Sequence, residues 1–293
     1  RRVAGRIMMR AAPHDQTVAG IAAVGAGSEP EPAASERSPL VLRGLTVSYG
    51  EKPAVFSIDA AFAPHAMTAI IGPNGAGKST LLRLLAGVAS GGVREGKVTL
   101  DGQELLDLRA VERVRRLAML AQVPGVSAPL TVGEVVMLGR TLLPSDPATV
   151  AQAIHEVGLN GRENDLFESL SVGERQLAAF ARVLAQLGFE KEQRPRYLLA
   201  DEPIAALDPN HAVTIARRIR AASERGIRCV LVVHDLDFVS EVADRVIGVG
   251  RGGSVVADGP PEQTLKPDVL ESLYGCRFGV GASVAVRPDY GGG

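Results

Sequence analysis

The run Gly72-Pro73-Asn74-Gly75-Ala76-Gly77-Lys78-Ser79-Thr80 has the make-up of a phosphate cradle. Its glycines let the backbone curl until successive N–H groups face one anion. A helix opening at its end would add a positive N-terminus. Lys78 can reach terminal phosphates, and the Ser79 hydroxyl can ligand Mg²⁺. The spacing is G-x-x-x-x-G-K-[ST], between the apolar run Thr68-Ala69-Ile70-Ile71 and the helical pattern from Leu81 to Ala86. A glycine-rich turn with no ligand is the alternative, and the full motif between a strand and a helix argues against it.

Two more strand-like runs end in groups that do chemistry. Tyr197-Leu198-Leu199-Ala200 is followed by Asp201, Glu202 and Pro203, and Cys229-Val230-Leu231-Val232-Val233 by His234. Asp201 can hold the shell of a Mg²⁺ ion, while Glu202 points at the water that attacks a terminal phosphate. Phosphoryl transfer depends mostly on positioning and charge stabilisation, so one well-aimed carboxylate suffices as base. In open α/β sheets ligands sit at the carboxyl ends of the strands, so the three ends point to one site.

The elements that must position these groups can be sketched. Short, fully apolar strands joined by crossover helices predict a mostly parallel sheet covered on both faces. Ahead of it, Leu40-Val41-Leu42, Leu45-Thr46-Val47 and Ala54 to Ile58 read as an N-terminal antiparallel β part. Helical patterning over Val132 to Gly139, Pro147 to Val157 and Val172 to Gln186 predicts a helical subdomain inserted at about 123–186. Arg245 to Asp258 reads as a hairpin turning at Arg251-Gly252-Gly253, and there are no internal repeats. Residues 1–38 are small, polar and Pro-containing; they read as a flexible leader rather than a signal peptide, with one folded domain over 39–293.

Composition narrows the class. With 46% hydrophobic residues, 4% aromatic and no Trp, the chain reads as an α/β protein rather than a disordered or fibrous one. Lys plus Arg number 32 against 33 Asp plus Glu, so bulk charge cannot drive binding to nucleic acid. Cys229 and Cys276 have no metal-ligand spacing; Cys229 reads as a buried core thiol. No apolar run approaches the ~18–20 residues that cross a bilayer.

From Leu40 to about Tyr274 the sequence resembles an ABC ATPase, a P-loop NTPase. Leu170-Ser171-Val172-Gly173-Glu174-Arg175-Gln176 is similar to the family's signature, Asp201-Glu202 to its second Walker motif, and Ala206-Leu207-Asp208 to the loop beyond. His234 resembles the switch histidine, Gln122 the glutamine of the loop joining the subdomains, and Tyr49 the aromatic that stacks on adenine. The resemblance implies ATP and Mg²⁺, with Ser79, Gln122 and Asp201 at the metal. It implies Glu202, His234 and Gln122 at the reaction, and a head-to-tail dimer in which Ser171 and Gly173 face the partner's nucleotide. Plainer readings stand beside these: Tyr49 as a strand tyrosine, Gln122 as a loop polar group, His234 as a strand-end cap. Ser171-x-x-Glu174 is also a capping box for the next helix.

The sequence departs from the family where Val172 replaces a usual Gly, a costly change if that position needs positive φ. Ile204-Ala205 replaces a small polar pair, with a modest change in rate expected. Leu130-Thr131-Val132-Gly133-Glu134-Val135-Val136-Met137-Leu138-Gly139-Arg140 resembles importers of haem, ferric siderophores and cobalamin. The charged insert Glu190 to Arg196 looks most like the haemin importers, whereas the tail Val256 to Pro261 does not separate cargoes. Such a subunit would serve a permease and, through it, a substrate-binding protein, at the cytoplasmic face of a bacterial inner membrane. Little chain remains beyond Tyr274 for a regulatory domain. Soluble ABC ATPases form the other class: the gap from Thr80 to Leu170 is too short for a repair ATPase's coiled coil, and an iron–sulfur assembly component stays open.

Overall fold

The computed structural model describes residues 40–278, apart from Glu51, 63–66, 89–91, 123–124, 127, 191–193 and Ala206. The leader expected over 1–38 lies outside the described residues.

The antiparallel part comprises β1 (Leu40–Tyr49), β2 (Lys52–Ala61), β4 (Val93–Leu100) and β5 (Gln103–Glu104), in the order β2-β1-β4-β5. The second sheet contains β3 (Met67–Ile71), β6 (Leu117–Leu120), β7 (Arg196–Asp201), β8 (Ile227–Val232), β9 (Arg245–Val249) and β10 (Val255–Gly259), ordered β10-β9-β3-β8-β7-β6. Its pairs are parallel except the expected β9–β10 hairpin. Period-2 alternation accounts for the all-apolar strands. Tyr197 and Leu199 of β7, with Val230 and Val232 of β8, face the core shared with β1, β2, β4 and α1 (Lys78–Leu85). Leu198, Ala200, Cys229 and Leu231 face the opposite core beneath the helices. Cys229 is buried there, its thiol pushed up to about 12 by burial, while Cys276 is exposed.

After β4 come α2 (Ala110–Arg116) and β6, neither read from the sequence. The helical insertion follows between β6 and β7: α3 (Val132–Met137), α4 (Pro147–Glu156) and α5 (Val172–Leu187). Helix α5 anchors it, since the Gln186 amide donates to the carbonyls of Val114 (2.9 Å) and Leu117 (2.8 Å) beside β6. Helices α6 (Pro209–Glu224) and α7 (Leu236–Val242) flank β8, and α8 (Pro261–Thr264) and α9 (Pro267–Tyr274) close the described chain.

Candidate ATP site

Four neighbouring strand ends meet at the site, one more than the sequence suggested. Strand β3 delivers the phosphate loop, β8 delivers His234, β7 delivers Asp201 and Glu202, and β6, two residues before Gln122, is the addition. Backbone hydrogen bonds knit the ends together. Glu202 N–H donates to Val232 O at 3.0 Å and Val233 N–H to Ile70 O at 3.2 Å.

The phosphate loop is folded around its glycines. Gly77, at φ 88°, is the N-cap of α1 and supplies no side-chain cap, so the first-turn N–H groups are left for a ligand. A Cβ on Gly77 would stand 1.8 Å from Ala54 O, and one on Gly72 2.0 Å from Val249 O; both must be glycine. Lys78 is 6% exposed and donates to the carbonyls of Gly72 (2.9 Å) and Pro73 (3.0 Å). Burial lowers its pKa against the pull of Glu202 and Asp201. A phosphate would restore the favourable charge environment that burial removes.

Ser79 Oγ donates to Asp201 Oδ1 at 3.0 Å. Asp201 is 4% exposed, and burial raises its pKa, against the Ser79 hydrogen bond and with the help of Glu202. Two hard oxygens side by side, one on a desolvated carboxylate, fit Mg²⁺, which takes few protein ligands and completes its shell with phosphate and water. Among the described residues no cluster of three or more His, Cys, Asp or Glu offers an all-protein cage.

Glu202 stands at φ 49°, a left-handed conformation costing a non-glycine residue about 1–2 kcal/mol. Strain of this kind at a cleft marks a position set by its surroundings. The turn presents the carboxylate to two donors: Gln122 Nε2 lies 2.8 Å from Oε2, and His234 Nε2 2.8 Å from Oε1. Each oxygen keeps a lone pair that can accept a water proton. Gln122 is thus engaged with Glu202 here, not with the Ser79–Asp201 pair.

Tyr49, Asn74, Gly75, Gly77, Lys78, Ser79, Thr80, Glu202 and His234 line one cleft of about 470 Å³, joined by Ala54, which the sequence reading did not single out. Pro73 and the buried Gly72 and Ala76 shape its loop from behind. Tyr49 ends β1 at 45% exposure, an available ring at the cleft edge.

Ser171, Gly173 and Asp208 do not line the cleft. Ser171 caps α5 as expected: its N–H donates to Glu174 Oε2 at 2.8 Å, and Glu174 N–H to Ser171 Oγ at 3.3 Å. Val172 opens α5, 63% exposed and without positive φ, so the strain feared from its replacing glycine does not arise. Asp208 caps α6.

Comparison with known proteins identifies the family. The family model described as ABC transporter matches residues 55–205. A hemin import ATP-binding protein, HmuV, of Rhodopseudomonas palustris is 38% identical, over 79% of this chain and 86% of its own. HmuV of Bordetella pertussis is 36% identical, over 86% and 97%. Two solved structures share the fold: a nucleotide-free ATP-binding cassette from an ABC transporter (TM-score 0.67, 22% identity, 79% of this chain and 97% of the other) and an inward-facing putative metal-chelate type ABC transporter (0.65, 21%, 80% and 88%). The chain belongs to the ABC transporter family, as an ATP-binding and ATP-hydrolysing member with the P-loop fold of that family.

Proposed function

We propose that this chain powers import of haemin through a partner permease in a bacterial ABC transporter. The observation that carries the catalytic part is the convergence of Lys78, Ser79 and the clamped Glu202 on one cleft, with the buried Asp201 hydrogen-bonded to Ser79. ATP would lie with its phosphates on the Gly72–Thr80 loop and Lys78, and its adenine against Tyr49. Ser79 and Asp201 would hold Mg²⁺, with Gln122 a further ligand once released from Glu202. When bound, Mg²⁺ neutralises charge on the phosphate oxygens. Glu202 accepts a proton from the attacking water, and His234 holds its carboxylate at the required angle.

Two copies would pack head to tail, each presenting Ser171 and Gly173 to the other's nucleotide, with Asp208 beside them. The helical insertion and the Gln122 loop form the permease-docking surface in this reading; Leu138 (46% exposed), Leu142 (52%) and Leu166 (43%) supply apolar contact. A substrate-binding protein would act through the permease. Among the described residues no helix is long and apolar enough to cross a membrane, which suits a peripheral place at the cytoplasmic face. The names of the similar proteins support haemin as cargo; a ferric siderophore or cobalamin is the second reading, on the likeness of residues 130–140 to that importer group. The test is growth of a strain lacking the gene on haemin, a ferric siderophore or inorganic iron. Failure on haemin alone, rescued by the wild-type gene but not by Lys78→Ala, is expected; normal growth on haemin in a strain with no second haem importer would reject the cargo.

A further inference from the structure

His211 joins two segments that the proposed dimer needs, and no role above uses it. Asp208 Oδ1 accepts from the backbone N–H groups of Asn210 (3.0 Å) and His211 (3.2 Å), and its Oδ2 is bound by His211 Nδ1. A carboxylate can only accept, so the Nδ1 proton is directed at Asp208. That hydrogen bond also heads the causes holding the Asp208 carboxyl below its usual range.

The same ring lies on α5. A Cβ added to Gly173 would stand 2.6 Å from His211 Nδ1 and 2.7 Å from its Cγ. Gly173 is helical and has no positive φ, so its backbone conformation makes no demand for glycine; the closeness of the imidazole does. One side chain therefore binds Asp208, the N-cap of its own helix α6, and touches the second residue of α5.

We propose that His211 is a positioning residue that clamps the Asp208 loop to the N-terminus of α5. Ser171, Gly173 and Asp208 then meet a second copy's nucleotide as one rigid edge. The proposal rests on the ATP-sandwich reading above, and it assigns His211 no contact with ATP in its own cleft.

The test compares His211→Ala, His211→Asn and His211→Gln in the full chain with Mg·ATP. Asparagine places an amide nitrogen near the Nδ1 position, whereas glutamine places it nearer Nε2. Ala and Gln should lower kcat about tenfold or more, as misplaced groups do. Asn should stay within about threefold of wild type, and all three should keep the monomer's nucleotide Kd within about twofold. In a Glu202→Gln background, adding His211→Ala should weaken the ATP-dependent dimer seen by size exclusion. Wild-type kcat in His211→Ala, equal behaviour of Asn and Gln, or a loss confined to nucleotide Kd would overturn the clamp. The Asn–Gln pair decides the matter even if the Ala variant does not fold. If Glu202→Gln forms no ATP-dependent dimer with His211 intact, the sandwich reading itself fails, whatever His211 does.

Discussion

Helix α1 begins behind Gly77, which offers no side-chain cap, whereas α5 begins behind Ser171, whose hydroxyl closes a capping box with Glu174. Their first residues differ as sharply: Lys78 is 6% exposed and Val172 63%. At α1 the chain leaves N–H groups unfilled and desolvates a cation beside them, an arrangement that only an anionic ligand completes. At α5 the capping box already satisfies the N–H groups of Ser171 and Glu174, so that end is stable while facing solvent. The two halves of the proposed ATP sandwich thus differ in what they lack: one lacks a nucleotide, the other a second copy.

The comparison breaks first at Glu202. Glu202→Gln should cut turnover by about 10²–10⁴-fold, with nucleotide binding retained by titration calorimetry. Undiminished turnover would remove Glu202 as the base. Asp201→Asn should also abolish turnover, yet raise Tm. Burial raises the native pKa of Asp201, so its charged form is penalised at neutral pH, and a neutral amide relieves that penalty. A lower Tm in calorimetry would refute the desolvation argument.

Tyr49→Ala should weaken ATP binding by about 5- to 150-fold if its ring stacks on adenine, as aromatic–base stacking does elsewhere. Unchanged affinity for a fluorescent ATP analogue would return Tyr49 to an ordinary strand residue. At α5, Ser171→Ala should cost about 1 kcal/mol of stability, read by urea unfolding, without changing the monomer's nucleotide affinity. Val172→Gly should have the smallest effect, under about 1 kcal/mol, since Val172 already sits in helical backbone; a larger loss would show that its exposed side chain does more than start the helix.

Much of this was legible because the phosphate loop and the β7 and β8 runs are local signals: all-apolar strands ending in groups that do chemistry. Strand β4 was not, because Val93–Leu100 is mostly polar. Its Gly96 exists for a crossing with β1, where a Cβ would meet Gly44 O at 2.3 Å. Strand β6, only Leu117–Leu120, is too short to announce itself. The left-handed turn at Glu202 and the His211–Gly173 contact arise from tertiary packing, and no spacing in the chain encodes them visibly.

Strand β8 carries Cys229 through the centre of its sheet, between β3 and β7, with its thiol pKa pushed up to about 12. Only the thiolate reacts with alkylating reagents, so in the folded protein this sulfur is shielded by both access and protonation. Cys276, by contrast, is exposed to such reagents. A maleimide therefore tags the native chain at Cys276 first, and the slower second modification reports how often the central sheet opens. The chain thus carries both an attachment point and a gauge of its own unfolding, with no engineered residue.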